Sequence, residues 1–262
     1  MAEVPEVVKP PENWEAERAK ILAEAEAAIA KARRDLEEGM FLGAQAREKV
    51  AEARGAEAEA RKAEISLSDA EYKRQCELSK DEYHHIFMFK STVTSSSVED
   101  CMKQLRIWAR MDADAPDGKK SSLEIWFYSP GGSVIDGMAL FDYIQQLRTA
   151  GHYITTGCLG YAASMAGILL QAGDKRVMGR ESYVLIHEIA AGASGKIGEI
   201  EDTMEFLKKI ESRVLEIFAE RSKTSGCAKP LTKAQIALRW RRKDWWLTSE
   251  ECLKHGFVDE LR

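Results

Sequence analysis

The sequence predicts an α/β core with a mostly parallel sheet, preceded by a helical appendage. Three observations predict it. From about residue 84 onward, apolar stretches of strand character alternate with amphipathic stretches of helical character, the pattern of strands joined by helical crossovers. Before that point, from Asn13 to about Ala63, the composition turns abruptly to Ala, Glu, Lys and Arg without proline, which is strong helix-former composition. Within the core, residues 151–173 (GHYITTGCLGYAASMAGILLQAG) show a strand, a glycine turn and a helix in immediate succession.

Taken in order, residues 1–12 hold three of the six prolines and are expected to be a disordered lead-in. Leu22, Ile29, Leu36, Gly43 and Val50 then recur every seven residues, with Ala25, Ala32, Gly39, Ala46 and Ala53 three positions later. This heptad has a thin seam of small residues, suited to weak self-association or to close packing on a partner. The plainer alternative is a solvated helix that frays near Gly39–Gly43 and Gly55. Residues 66–83 read as a short linking helix. The chain is thus expected to divide into 1–12, a helical extension and linker over 13–83, and a core domain over 84–262.

Within the core, His85–Phe89 is a short strand, Ser95 to about Met111 a helix, Asp112–Ser121 a polar loop and Leu123–Tyr128 a buried strand. Ser133–Ala150 is an amphipathic helix with Met138, Phe141, Ile144 and Leu147 on one face. Strand 152–158, helix 162–172 and strands 176–178 and 183–187 follow. A long helix spans Ile197–Thr224 and a short one Thr232–Arg241, after which Trp245 and Trp246 enter a strand. Along the long helix, Ile200, Met204, Leu207, Ile210, Val214, Leu215 and Phe218 form an apolar stripe that serves either ring assembly or simple core packing.

Composition excludes several classes. Apolar residues make up 45% of 262, enough for a real core, and the net charge of −5 argues against general nucleic-acid binding. Five scattered cysteines without a CxxC pair read as reduced thiols, not as a disulfide framework or zinc site. The longest apolar runs fall well short of the roughly 20 residues a membrane span needs. The N-terminal stretch lacks the basic and apolar regions of a signal peptide, so a soluble, cytoplasmic protein is expected. No metal cluster or nucleotide-binding loop is visible, and no cofactor is expected.

Four places can carry chemistry. Ser164 stands where strand gives way to helix, beside unsatisfied backbone N–H groups and the positive end of the helix dipole. For a lone serine the ordinary reading is an N-cap. Ser129-Pro130-Gly131-Gly132-Ser133 follows a strand, and its glycines let backbone N–H groups approach a ligand; with the N–H of Met165 they can form an oxyanion hole, or the segment is merely a tight turn. His187 closes an apolar run ahead of a glycine-rich loop (Ala190–Gly198), a setting that suits a base. Asp244, between a basic run and Trp245-Trp246, is either held partly buried, where it orients an imidazole, or paired on the surface with Arg241, Arg242 or Lys243. His84, His85, His152 and His255 are assigned no role.

These blocks resemble the proteolytic subunit of the Clp protease, a self-compartmentalising serine peptidase, over about residues 85–261. SPGGSVIDGMALFDYIQ is similar to that family's SPGGSV segment and following helix, GYAASMAGILLQAG to its nucleophile block and YVLIHEI with GASGKIGEIE to its histidine segment and handle helix. KDWWLTSEECLKHGFVDEL is similar to the family's C-terminal segment. The resemblance implies a core of repeated β-β-α units with a long handle helix. It implies Ser164 as nucleophile, His187 as general base, Asp244 as orienting carboxylate, and Gly132 and Met165 as backbone donors to the oxyanion. It further implies peptide or unfolded-protein substrates, a homo-oligomeric ring (stacked heptamers in the family) and an AAA+ unfoldase that alone uses ATP. The family's axial loops have no counterpart here. Ala113–Ser122 and Ser222–Thr232 are longer than usual.

Two further readings stand beside a cellular endopeptidase. A viral head-maturation protease shares the chemistry, with the N-terminal helix as a scaffold or delivery segment. A protein of the acyl-CoA hydratase/isomerase type, or a non-catalytic assembly protein, shares the architecture without needing the Ser–His–Asp set.

Overall fold

The computed structural model describes residues 14–39, 43–115, 119–190, 192 and 194–262; the expected lead-in 1–12, and residues 40–42 in the expected frayed region, lie outside the described residues. The chain forms two compact units, Met1–Lys80 and Asp81–Arg262. The first is a helical hairpin, α1 over Trp14–Gly39 and α2 over Gly43–Leu78. The helices run antiparallel: Arg33 lies 3.8 Å from Glu57 and Arg18 3.8 Å from Glu71 across the pair. Leu22, Ala25, Ile29, Ala32 and Leu36 are half-buried or buried, as are Val50, Ala53, Ala56, Ala60 and Ala63. The small-residue seam therefore closes against its own chain. The helix read over 13–63 is in fact two, and 66–83 is no separate linker, because α2 runs unbroken through Gly55 to Leu78. One glycine costs only about 1 kcal/mol against Ala, which strong formers on both sides absorb.

The second unit comprises β1 (Ile86–Phe89), α3 (Ser95–Met111), β2 (Leu123–Ser129), α4 (Val134–Thr149), β3 (Ile154–Ala163), α5 (Met165–Leu169, extended by a 3-10 turn Leu170–Ala172), β4 (Lys175–Met178), β5 (Tyr183–Ile186), α6 (Ile197–Thr224), α7 (Lys233–Trp240), β6 (Trp245–Thr248), α8 (Ser249–Lys254) and β7 (Glu260–Leu261). The helix starts are written in the sequence. Thr94 and Thr232 close capping boxes with Ser97 and Gln235, and the Ser133 hydroxyl accepts the Asp136 N–H. The predicted parallel sheet is observed: strands run β1-β2-β3-β4-β7, all parallel, with β5 joining β3 in parallel and β6 pairing antiparallel with β5.

The sheet branches within β3. Thr155–Cys158 pair with β4, whereas Tyr161–Ala163 pair with β5. Between these halves three residues of β3 face the single residue Tyr128 of β2, and Gly160 turns the strand at φ +72°. The expected strand 152–158 thus continues to Ala163, and the helix expected from 162 begins at Met165. Pairing on both sides overrides the helix preference of the two alanines. Along α6 the apolar stripe divides. Val214, Leu215 and Phe218 are buried in the core, Ile200, Leu207 and Ile210 are half-buried and Met204 is 46% exposed; off the stripe, Ile197 and Phe206 near the helix start are 78% and 52% exposed. Arg176 on β4 is buried and ties the chain end down: it donates to both Asp259 carboxylate oxygens, to Gln171 Oε1 (3.0 Å) and to the Gly256 carbonyl (2.7 Å).

Candidate active site

Ser164 directly follows β3 and precedes α5, and this junction is strained. Its φ of 55° and ψ of −123° lie where a side chain is disfavoured, a cost of about 1–3 kcal/mol that folds keep where it serves a site. The strand pairing forces the conformation: Ala163 is in register with Leu185, and the Ser164 N–H still donates to the Leu185 carbonyl (3.0 Å), yet the next residue must open a helix. Ser164 occupies the N-cap position, but its hydroxyl makes no capping bond and has no other partner among the described residues. The N-cap reading of this serine accordingly fails on geometry.

Two backbone N–H groups are left over on the segments that meet at this junction. Val93 forms an isolated parallel bridge with Gly132, donating to the Gly131 carbonyl (2.8 Å) and accepting from the Ser133 N–H (2.8 Å). Because successive backbone groups point to opposite sides of an extended segment, the Gly132 N–H faces away from Val93 and has no backbone partner among the described residues. Met165 is the first residue of α5, so its N–H has no intrahelical acceptor. Its side chain packs over Gly137 of α4, leaving the N–H as its contribution at the turn. Gly131 (φ +87°) lets these strands meet: a Cβ there would sit 2.5 Å from the Ala163 oxygen, 2.7 Å from Ser164 Cβ and 2.8 Å from the Met165 nitrogen.

Ser164, Gly132 and His187 line one cleft of about 330 Å³, whose remaining wall is largely apolar: Pro130, Val134, Ile168, Val214, Phe218 and Trp240. His187 arrives because β5 is paired to the second half of β3 and ends one residue before it. It is half-buried. Asp244 is not on the cleft wall. The antiparallel β5–β6 register runs from Tyr183↔Thr248 to Ile186↔Trp245, so the next pair in it is His187 and Asp244.

The expectation that both tryptophans partly bury Asp244 is corrected. Asp244 is exposed, since alternation along β6 turns the two rings to opposite faces. Trp245 packs on His255 and Phe257, and Trp246 stays 49% exposed. Among the described residues Asp244 forms no ion pair with its basic neighbours either. Among the described residues no hydrogen bond joins Ser164, His187 and Asp244.

Sequence reasoning missed the cleft's apolar wall and Glu188. The wall comes from Pro130 and from α4, α5, α6 and α7, whose apolar residues are legible but whose convergence on Ser164 is not. Glu188 lines the cleft, and its carboxylate accepts the Arg242 N–H at 3.1 Å. The thiols offer no competing nucleophile in the core. Burial pushes Cys158 up to about 12 and drives Cys101 and Cys252 well above the ordinary range. No group of three or more His, Cys, Asp and Glu side chains suited to a metal ion occurs among the described residues. None of the described helices is long and apolar enough to cross a membrane.

A model of the Clp protease family matches residues 74–262, well over half of the chain and the whole of the second unit.

Proposed function

We propose that this chain, which belongs to the Clp protease family, is a serine endopeptidase that cleaves through an acyl-enzyme on Ser164. The observation that carries the reading is Ser164 itself: a strained residue with an uncommitted hydroxyl, sharing a cleft wall with His187 and lying beside two unspent backbone donors. In the reaction Ser164 Oγ attacks the scissile carbonyl carbon while His187 takes its proton. The Gly132 and Met165 N–H groups donate to the oxyanion, a contribution of about 3 kcal/mol per donor. The protonated His187 then gives its proton to the leaving amine, and water, deprotonated by His187, hydrolyses the ester. Asp244 orients the imidazole and stabilises its cationic form once the side chain turns from solvent towards its register partner.

The apolar wall formed by Ile168, Val214, Phe218 and Trp240 suits a large apolar side chain next to the scissile bond. Subunit association through the exposed first half of α6 completes the picture, since Ile197, Met204 and Phe206 are 78%, 46% and 52% exposed among the described residues. Exposed Tyr128, Tyr183 and Trp246 give a partner such as an AAA+ unfoldase an aromatic surface to dock on. The separate helical hairpin favours a second reading with the same chemistry, a head-maturation protease whose N-terminal unit is a delivery segment. Capsid genes beside the coding sequence are its mark.

Labelling with a fluorophosphonate probe, read by intact mass, tests the chemistry. The expected result is one adduct on Ser164, abolished in Ser164→Ala and His187→Ala and slowed in Asp244→Ala. A folded wild-type protein that takes no label refutes it.

A further inference from the structure

Resting on the assignment of Ser164, His187 and Asp244 above, we infer that Glu188 is a positioning residue that sets the approach of Asp244 to His187, acting through the backbone N–H of Arg242. The β5–β6 ladder stops at Ile186↔Trp245. Beyond it no backbone hydrogen bond joins the two strands among the described residues. The link that replaces the ladder is the Glu188 carboxylate, which accepts the Arg242 N–H at 3.1 Å, a charge-assisted bond where the backbone pairing has ended.

The segment bearing Asp244 is therefore pinned at both ends, by Trp245 in the ladder and by Arg242 two residues before it. The pin at Arg242 works against the chain's own preference. Arg242 is held at φ +56°, a left-handed conformation disfavoured for a branchless but Cβ-bearing side chain, while the Lys243 N–H closes the turn on the Trp240 carbonyl (3.1 Å). Without an acceptor at residue 188, the Arg242 N–H loses its partner and only the Lys243–Trp240 bond is left to hold the turn, which frees Asp244 to swing off the His187 register. Among the described residues the Glu188 side chain makes no hydrogen bond or ion pair with Ser164 or His187, so its effect belongs to alignment. Misplacement on this scale is read in turnover more than in substrate binding.

The experiment uses the full chain and compares Glu188→Ala, Glu188→Gln and Arg242→Gly with wild type, measuring fluorophosphonate labelling at Ser164 and kcat and KM on a fluorogenic peptide with an apolar residue at the scissile bond. Glu188→Ala is expected to slow labelling and kcat about tenfold with KM within about twofold. Glu188→Gln keeps a carbonyl acceptor and is expected to stay within about threefold of wild type. Arg242→Gly keeps the N–H donor and the left-handed turn, and matches wild type if the backbone carries the effect. Circular dichroism and melting temperature confirm that each variant is folded; a Glu188→Ala protein that does not fold hands the decision to the other two variants. Labelled wild type with Glu188→Ala equally fast overturns the inference alone, as does a Glu188→Gln as slow as Glu188→Ala or an Arg242→Gly that loses activity. A wild type that takes no label overturns it together with the peptidase assignment.

Discussion

Ser164 should be less stable than glycine at its own position. Its φ of 55° and ψ of −123° cost a Cβ-bearing residue about 1–3 kcal/mol, and glycine adopts them freely. Glycine gives back about 0.5–1 kcal/mol through the greater freedom of the unfolded chain. The difference predicts that Ser164→Gly stabilises the second unit by about 1 kcal/mol, a rise of about 2–4 °C in melting temperature for a domain of this size. Ser164→Ala separates strain from chemistry. It keeps the Cβ and the strain and deletes only a hydroxyl that has no bonding partner, so it should melt within about 1 °C of wild type. The assay is thermal unfolding of the three proteins at one concentration, since association shifts apparent stability. Ser164→Gly melting no higher than Ser164→Ala would falsify the strain argument. The order Gly above Ala and Ser marks a position where stability is given up to hold the proposed nucleophile in a strained conformation.

Gly131→Ala places a methyl 2.5 Å from the Ala163 oxygen and 2.8 Å from the Met165 nitrogen. It should cost about 3 kcal/mol and abolish labelling; a variant that melts and labels like wild type contradicts the close approach. Arg176→Ala strips a nearly fully buried guanidinium from Asp259, Gln171 and the Gly256 carbonyl and should cost about 3–5 kcal/mol in urea unfolding, with a cost below about 1 kcal/mol counting against the role given to it. Glu260 is held down at about 2 by hydrogen bonds from Lys175 and Arg262. Its folded pKa is depressed, so its contribution is full above pH 4.5 and fades as pH falls towards about 2. The side chain is 39% exposed and screened by solvent, so Glu260→Gln should cost less than about 1 kcal/mol at neutral pH, and that gap should close in acid. Incubated wild type and Ser164→Ala, compared by intact mass, report on self-removal of the N-terminal unit: loss of mass in wild type alone is expected, and equal masses count against it.

The sequence spoke clearly wherever a local rule decided the outcome. Thr94, Ser133 and Thr232 announce helix starts because a short hydroxyl side chain satisfies orphan N–H groups at that point and nowhere else along the helix, and the structure places α3, α4 and α7 directly behind them. The long α6 was equally legible, but not the division of its stripe: one periodic pattern covers Met204, left exposed, and Phe218, buried, because periodicity fixes a face and not what meets it. The branch of β3 was hidden for a related reason. Ala162 and Ala163 are helix formers by composition, and only pairing with Val184 and Leu185, more than twenty residues away, makes them strand.

The same distance rule separates the legible part of the candidate site from the rest. Ser164, Gly132 and His187 are visible as residue types because each sits at a glycine-marked or strand-ending position. What gives the arrangement its chemical meaning is less local. Val93 engages the carbonyl and N–H on either side of Gly132 and thereby turns the Gly132 N–H the other way. Leu185 holds the Ser164 backbone while α5 begins, so the serine is strained and not merely a cap. Trp245 turns inward and Trp246 outward, so Asp244, one residue beyond the last β5–β6 pair, lacks the cover that two neighbouring indoles suggest on paper. In each case a partner remote in sequence decides which side of a residue is left free. A reading of spacing finds the side chains; the sheet decides which of their neighbours' hydrogen bonds are spent elsewhere, and the donors left unspent are the ones available to a reaction.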